Sequence, residues 1–246
     1  MTQGTMRQDL YPELYRVEDR HWWHRQKRRV IHRLVKQFCP KTGKVLDVGC
    51  GAGKLLQELA DLGWLAEGVD TVLDQGRRRG LKLKKINLQT QPLPYPKNHF
   101  DLVVCLDTLE HMSDDKRLVA EMARVVKAKG IIIISVPAYQ WFFSYWDKML
   151  GHFRRYNRKT LLRAVPRNTA KLRFLSYYFS FLLLPAILVR FIKVVSRQKQ
   201  QSDFSADPLP VFSHALVNIL GGLELLWLKR YSIPFGLSLV GVWQKR

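Results

Sequence analysis

Lys44-Val45-Leu46-Asp47-Val48-Gly49-Cys50-Gly51-Ala52-Gly53 decides the fold of this chain. The run opens on apolar and β-branched residues, passes three glycines at alternate positions, and enters a helix-like segment, Lys54-Leu55-Leu56-Gln57-Glu58-Leu59-Ala60. A short apolar run that meets a turn and then helical spacing is a buried parallel strand, a tight bend and a helix N-terminus. Glycine lets the backbone turn sharply and lets a ligand come close to it. The bend then offers amides and a helix N-terminus to something polar.

The spacing separates three kinds of ligand. A phosphate-cradling loop needs Gly-Lys followed by Ser or Thr. Here Gly53-Lys54 is followed by Leu55, so no hydroxyl is available for magnesium. A dinucleotide fingerprint needs G-x-G-x-x-G, and Gly49-x-Gly51-x-Gly53 has the wrong last interval. What remains is an acid, Asp47, two residues before the first glycine. An acid there suits a cationic ligand better than a pyrophosphate. Trp64 to Asp70 reads as the next strand, ending in a carboxylate, with Thr71 beside it. Doubly wound folds place an acid roughly 20 residues past the glycines, against ribose hydroxyls. The competing role for Asp70 is a helix N-cap.

These residues resemble the class I S-adenosylmethionine-dependent methyltransferases. The resemblance continues through Pro92-Leu93-Pro94-Tyr95-Pro96 into Asn98-His99-Phe100-Asp101-Leu102-Val103-Val104, through the turn Leu106-Asp107-Thr108-Leu109-Glu110-His111, and through Lys127-Ala128-Lys129-Gly130-Ile131 to Pro137. It covers roughly residues 43–137, and four motifs in order make it specific. His21-Trp22-Trp23 and the later Gly151-His152-Phe153-Arg154-Arg155-Tyr156 resemble one subgroup of the family. The resemblance implies a doubly wound seven-stranded α/β sheet, Rossmann-like, with the last strand antiparallel. It implies S-adenosylmethionine as cofactor, with Asp47, Gly49, Cys50, Gly51 and Gly53 on the methionine part and Asp70 and Thr71 on the ribose. Asn87, Leu88, Leu106 and Asp107 then lie near the adenine and the methyl end. Many members carry Asp where this chain has Asn87. In the family reading His111 leads the candidates for the base that takes an acceptor's proton, His152 is second, and Glu110 and Tyr156 complete the catalytic set. A histidine in that turn also serves to orient the loop. Asp107, Glu110 and His111 match a turn that holds a divalent metal in some O-methylating relatives. The same turn is common without metal, and no metal is expected.

The 246 residues suffice for one sizeable core with an appended lobe. A hydrophobic content of 47% excludes a disordered chain. Cys39, Cys50 and Cys105 form neither a metal spacing nor a disulfide framework, and the start shows no basic-then-apolar signal pattern, so a cytoplasmic setting is expected. The charge is unusual: 41 Lys and Arg against 20 Asp and Glu, net +21. Between Asp147 and Asp203 there is no acidic residue. A field of this size favours polyanions or anionic membrane surfaces.

Residues 12–38 read as a long helix, with Trp22 and Trp23 either in the core or in a lid. Strands are expected near 44–48, 65–69, 83–87, 100–106, 130–136, 171–178 and 236–244. Helices are expected near 54–62, 72–79 and 114–127. The chain divides into a cap at 1–41, a cofactor-binding domain at 42–178 plus 236–246, and an apolar, basic helical insert at 179–235. The uncharged run 174–189 falls short of the ~20 residues that span a bilayer, and Pro185 interrupts it. The insert is expected to lie on an anionic membrane, flanked by Arg190, Lys193, Arg197 and Lys199, or else to cap a greasy acceptor site, form a dimer interface or extend the core. Three functions follow. The first is methylation, chiefly of oxygen, of a small or lipid-linked acceptor at the inner membrane face. The second is RNA methylation, prompted by the charge. The third is a non-catalytic cofactor-binding partner protein. The Asn/Asp-Pro-Pro-Tyr/Phe motif of nucleic-acid N-methylation is missing after the fourth strand, which counts against the second.

Overall fold

The computed structural model describes residues 21–39, 41–73, 81–166, 168–195 and 211–246. Its centre is a seven-stranded sheet in the order β3-β2-β1-β4-β5-β7-β6. The strands are β1 (Lys44–Val48), β2 (Leu65–Asp70), β3 (Lys82–Lys85), β4 (Phe100–Leu106), β5 (Val126–Pro137), β6 (Ala170–Tyr178) and β7 (Ser238–Lys245). Neighbours from β3 to β5 run parallel, and β7 runs antiparallel to both β5 and β6. The expected doubly wound sheet with a reversed last strand is therefore present.

Period-two alternation explains why both faces are covered. Leu46, Val103, Cys105, Ile132 and Ile134 pack into one apolar cluster, with Leu118 and Met122 of α3 (Asp115–Val125) and Leu161 of α5 (Arg158–Ala164). Val45, Leu102, Val104, Ile131 and Ile133 pack into the other. There they meet Val30, Ile31 and Leu34 of α1 (Trp22–Phe38) and Leu55, Leu56 and Leu59 of α2 (Lys54–Asp61). Each such side chain contributes ~1.5–3 kcal/mol relative to leaving it in water. Arg28 Nε and His32 Nε2 of α1 both reach Glu58 of α2, at 2.9 and 2.8 Å. Glu58 stays below the usual carboxylate range, because these two partners outweigh the opposing effect of burial.

Several boundaries differ from the sequence reading. Residues 12–20 of the first helix, most of the helix near 72–79, and the linker with Arg197 and Lys199 lie outside the described residues. The helix expected to run to 127 ends at Val125, and β5 begins at Val126, which pairs with Phe100. Apolar spacing carries on smoothly there, so only strand pairing reveals the switch. Pro185 does not interrupt a helix. It sits in the first turn of α6 (Leu183–Val195), where a missing N–H costs nothing.

The insert attaches at the carboxyl end of β6, the same edge as the carboxyl ends of β1, β4 and β5. Phe179 turns there with φ 58° and is fully buried. Trp23 stacks on its ring at 3.9 Å, and Trp22 meets it edge-on at 6.2 Å. The two tryptophans thus pack α1 against the start of the insert. Glu224 of α7 (Val211–Trp227) accepts from the amides of Phe179 and Ser180 at 2.9 and 2.7 Å. Gln26 Nε2 donates to the Gly221 carbonyl at 2.7 Å, so α7 lies on α1. Arg190 of α6 donates to the carbonyls of Phe142 and Phe143. Among the described residues no helix is long and apolar enough to cross a membrane.

Candidate active site

Three adjacent strands, β2, β1 and β4, deliver the site at their carboxyl ends. After β1 the chain turns through Gly49, Gly51 and Gly53, all at positive φ. Gly49 has a second constraint: a Cβ there would stand 2.0 Å from Thr108 Oγ1, so the bend must be bare to pass β4. Gly53, at φ 81°, starts α2. The amides of Gly49 and Cys50 donate to the Val69 carbonyl at 2.8 and 3.2 Å. Asp70, at the end of β2, accepts from the Gly51 amide at 2.8 Å and from the Val72 amide at 3.1 Å. Burial raises the pKa of its carboxyl, and these amides oppose the rise. Asp70 therefore clamps the bend; the helix it was alternatively expected to cap lies largely outside the described residues.

The other cofactor candidates spread around this edge. Asp47 is buried within β1, and Cys50 is buried against α2. Thr71 Oγ1 accepts from the Leu88 amide at 3.4 Å, joining the ends of β2 and β3. Leu88 is buried in the first apolar cluster. Asn87 is exposed, and its Oδ1 accepts from the Gln89 amide at 3.0 Å. Its acceptor is turned onto its own chain by an Asx turn. Leu106 ends β4 and is followed by Asp107 at φ 46°. That backbone conformation is costly away from glycine, and such strain concentrates at functional sites. Asp107 forms an ion pair with Lys27, buried on α1. The sequence reading had no signal for Lys27, because eighty residues separate the partners.

The catalytic candidates divide. The one-turn helix Leu109–His111 follows Asp107. The Phe153 amide donates to the Glu110 carbonyl at 2.8 Å, which draws His152 to this turn. The rings of His111 and His152 meet edge to face at 4.6 Å. His152 Nε2 lies 4.0 Å from Glu110 Oε1, and Nδ1 lies 2.9 Å from Asp147 Oδ1. Asp147 sits on α4 (Tyr145–Met149), fully buried, and also accepts from Arg155 Nε at 2.7 Å. Burial works against its charge, but hydrogen bonds from His152 and Arg155 hold the carboxyl well below the usual range. Glu110 is fully buried, and neither of its carboxyl oxygens has a hydrogen-bond partner. Burial, reinforced by the negative charge of Asp107, pushes its pKa well up, which favours the neutral acid. Ligand atoms of Glu110, His111 and His152 all lie within 4.8 Å of one another, a donor set able to hold a divalent ion. The Asp107 carboxylate, which spacing would have added to that set, faces Lys27 instead.

Two expectations need correcting. Tyr156 is not free for proton transfer. Its hydroxyl is buried, donates to Asp115 Oδ2 at 2.9 Å, and ties α3 to the following segment. Burial first and the nearby carboxylates second push its pKa up. His111 is a poor base. Burial, helped by the neighbouring His152, pushes its pKa down to about 3. The same shift predicts a pH effect on stability. The unfolded ring, at its ordinary 6.5, binds a proton that the folded ring refuses, so stability falls as pH drops from 6.5 towards 3. His111 adds a slope of at most about 1.4 kcal/mol per pH unit. Thermal melts of the protein and of His111→Gln should diverge only below pH 6.5. Parallel curves would mean that the ring is not shielded.

The bend suits S-adenosylmethionine on its own chemistry. Beyond its two amides Asp70 keeps lone pairs for ribose hydroxyls. Asp107 Oδ1 is buried without a hydrogen-bond partner, an acceptor ready for the cationic end of the ligand. Comparison with known proteins agrees. The methyltransferase domain family matches residues 20–172. The ubiquinone biosynthesis O-methyltransferase of Albidiferax ferrireducens is 31% identical over 134 residues, covering 46% of this chain and 52% of that protein. The chain thus spans about half the length of the curated relatives it matches. A methyltransferase solved with the methyltransferase activator of Haloferax volcanii shares the fold at TM-score 0.60 and 16% identity, over 96% of this chain and 94% of that one. A SAM-dependent methyltransferase from Archaeoglobus fulgidus shares it at TM-score 0.54 and 15% identity, over 89% and 94%. With the family match extending from the Trp22-Trp23 helix into β6, and with β7 reversed at the expected place in the sheet, this chain belongs to the class I S-adenosylmethionine-dependent methyltransferases.

Proposed function

We propose that the protein methylates a hydroxyl oxygen of a small or lipid-linked acceptor, working at the cytoplasmic face of an anionic membrane. The observation that carries the oxygen reading is the His152–Asp147 pair beside Glu110. An alcohol or phenol must lose a proton as it attacks, so the site needs a base. Asp147 accepts from Nδ1–H, which leaves the Nε2 lone pair of His152 as the acceptor. Its negative charge then stabilises the imidazolium that forms. This reverses the order in which the sequence ranked the two histidines. Bound S-adenosylmethionine supplies an electrophilic methyl group on a sulfonium. The chain's own part is to hold acceptor and methyl in line and to keep water out. The name of the Albidiferax relative, an O-methyltransferase, supports the same class of acceptor.

Support for the membrane comes from the two insert helices. Leu184, Leu188 and Phe191 of α6 recur at intervals of four and three and are exposed, Phe191 by 66%. Leu216, Ile219, Leu223 and Leu226 of α7 do the same. A contiguous exposed apolar stripe marks an interaction surface. Net charge of +21 favours an anionic one, and each Lys or Arg near such a surface adds ~1 kcal/mol.

Incubating the full chain with methyl-labelled cofactor, beside total lipid extract and total RNA, tests the reading. Label is expected in the lipid or small-molecule fraction. Label in RNA alone would overturn it in favour of nucleic-acid methylation.

A further inference from the structure

An open groove of about 660 Å³ runs between α1 and α7, away from the cofactor bend. Its walls differ in chemistry. Along α1, Arg29, Arg33 and Lys36 recur at intervals of four and three, which places them on one helix face. Along α7, Ile219, Leu223 and Leu226 recur at the same intervals and are exposed. Lys229, just past the end of α7, adds a cation at one end of the apolar wall. Among the described residues no acidic side chain lines the groove. Arg33 Nε is buried without a hydrogen-bond partner. Buried donors left open are costly and call for an acceptor. Among the described residues no carboxylate pairs with Arg33, Lys36 or Lys229, while Arg28, and His32 of the groove wall, are taken by Glu58.

We propose that this groove is a binding site for the headgroup of an anionic membrane phospholipid. The phosphate is held by Arg33, Lys36 and Lys229, and the first part of the acyl chain lies along Ile219, Leu223 and Leu226. A cationic stripe facing an apolar stripe fits a molecule that is phosphate at one end and hydrocarbon at the other. Charge-assisted hydrogen bonds from guanidinium to phosphate are among the stronger polar contacts available. RNA would satisfy only the cationic wall, because among the described residues no aromatic side chain lines the groove for bases to stack on. Trp227 closes the exposed row of α7 and is 58% exposed. An indole there suits the headgroup layer of a bilayer. The site rests on the membrane part of the proposed function and specifies what α7 grips there. It does not depend on the acceptor or on methyl transfer.

The test uses the full chain without cofactor, on phosphatidylcholine vesicles with and without phosphatidylglycerol. The protein is expected to partition onto the anionic vesicles. A triple variant, Arg33→Gln with Lys36→Gln and Lys229→Gln, is expected to bind them about 100-fold less well, from ~1 kcal/mol for each cation at the surface. A control that removes equal charge from other elements, Lys82→Gln with Lys159→Gln and Lys171→Gln, is expected to lose far less. Leu223→Asn, which keeps every charge, is expected to weaken binding about tenfold through the chain contact. Cofactor affinity by calorimetry reports whether each variant is folded. Should the triple variant not fold, Arg33→Gln alone against Lys159→Gln alone decides the same point. Equal losses in groove and control variants would overturn the site and leave only a general field. Failure on vesicles with retained binding to an acidic amphipathic peptide would overturn it in favour of a protein partner. Retained groove-dependent vesicle binding, with label from the methyl-transfer incubation found in RNA alone, would sink the acceptor reading and leave the groove standing.

Discussion

Replacing His152 with alanine is expected to lower kcat by about 10²–10⁴, the usual worth of a positioned general base. Cofactor affinity should be unchanged, because the ring sits at the turn after β4 and takes no part in the Asp70 clamp. Asp147→Asn provides the sharper readout. It keeps the volume of the buried side chain but replaces the carboxylate that accepts from His152 Nδ1–H with an amide. kcat should fall while KM changes little, because the ring is no longer held in the tautomer that presents Nε2 to the acceptor. A merely structural Asp147 would lower yield or melting temperature and leave kcat of the folded protein in place. If His152→Ala retains kcat within about threefold while His111→Gln abolishes it, the base assignment is wrong. His111 is expected to matter less, since a ring whose pKa is pushed down to about 3 takes a proton poorly at neutral pH.

Asp70→Ala is expected to weaken S-adenosylmethionine by more than tenfold. Two losses add. The ribose hydroxyls lose charged acceptors, each worth about 1.5–3 kcal/mol. The Gly51 amide also loses the partner that holds the bend in place. Asp70→Asn separates the two, because its carbonyl oxygen can still accept from one amide but carries no charge. Calorimetry that finds unchanged affinity in Asp70→Ala would remove the ribose assignment. A melt unchanged in Asp70→Asn alongside a weakened cofactor would place the loss at the ligand and not in the loop.

The legible part of this protein is what short spacing encodes. Val45 and Leu46, buried on opposite sides of the sheet, announce a strand covered on both faces. The alternate glycines were readable as a bend, and all three take positive φ with Asp70 on the Gly51 amide. The exposed rows of α6 and α7 follow from apolar residues at helical intervals. Pairings across the chain were not readable in this way. Lys27 meets Asp107 across eighty residues, and Glu224 reaches back across forty-five to the Phe179 amide. Nothing local distinguishes these charged residues from others facing water. Tyr156 falls in the expected catalytic set because a motif carries its type but not the direction of its hydroxyl, which donates to Asp115.

From its sequence alone this protein is determined to be a wound sheet with a glycine bend after its first strand, since strand alternation and backbone freedom are properties of neighbouring residues. Which histidine has a carboxylate beside it, and which one burial holds back from a proton, only the tertiary structure decided. Those properties come from burial and from distant partners: His152 is paired with Asp147, while at position 111 burial pushes the imidazole pKa down to about 3.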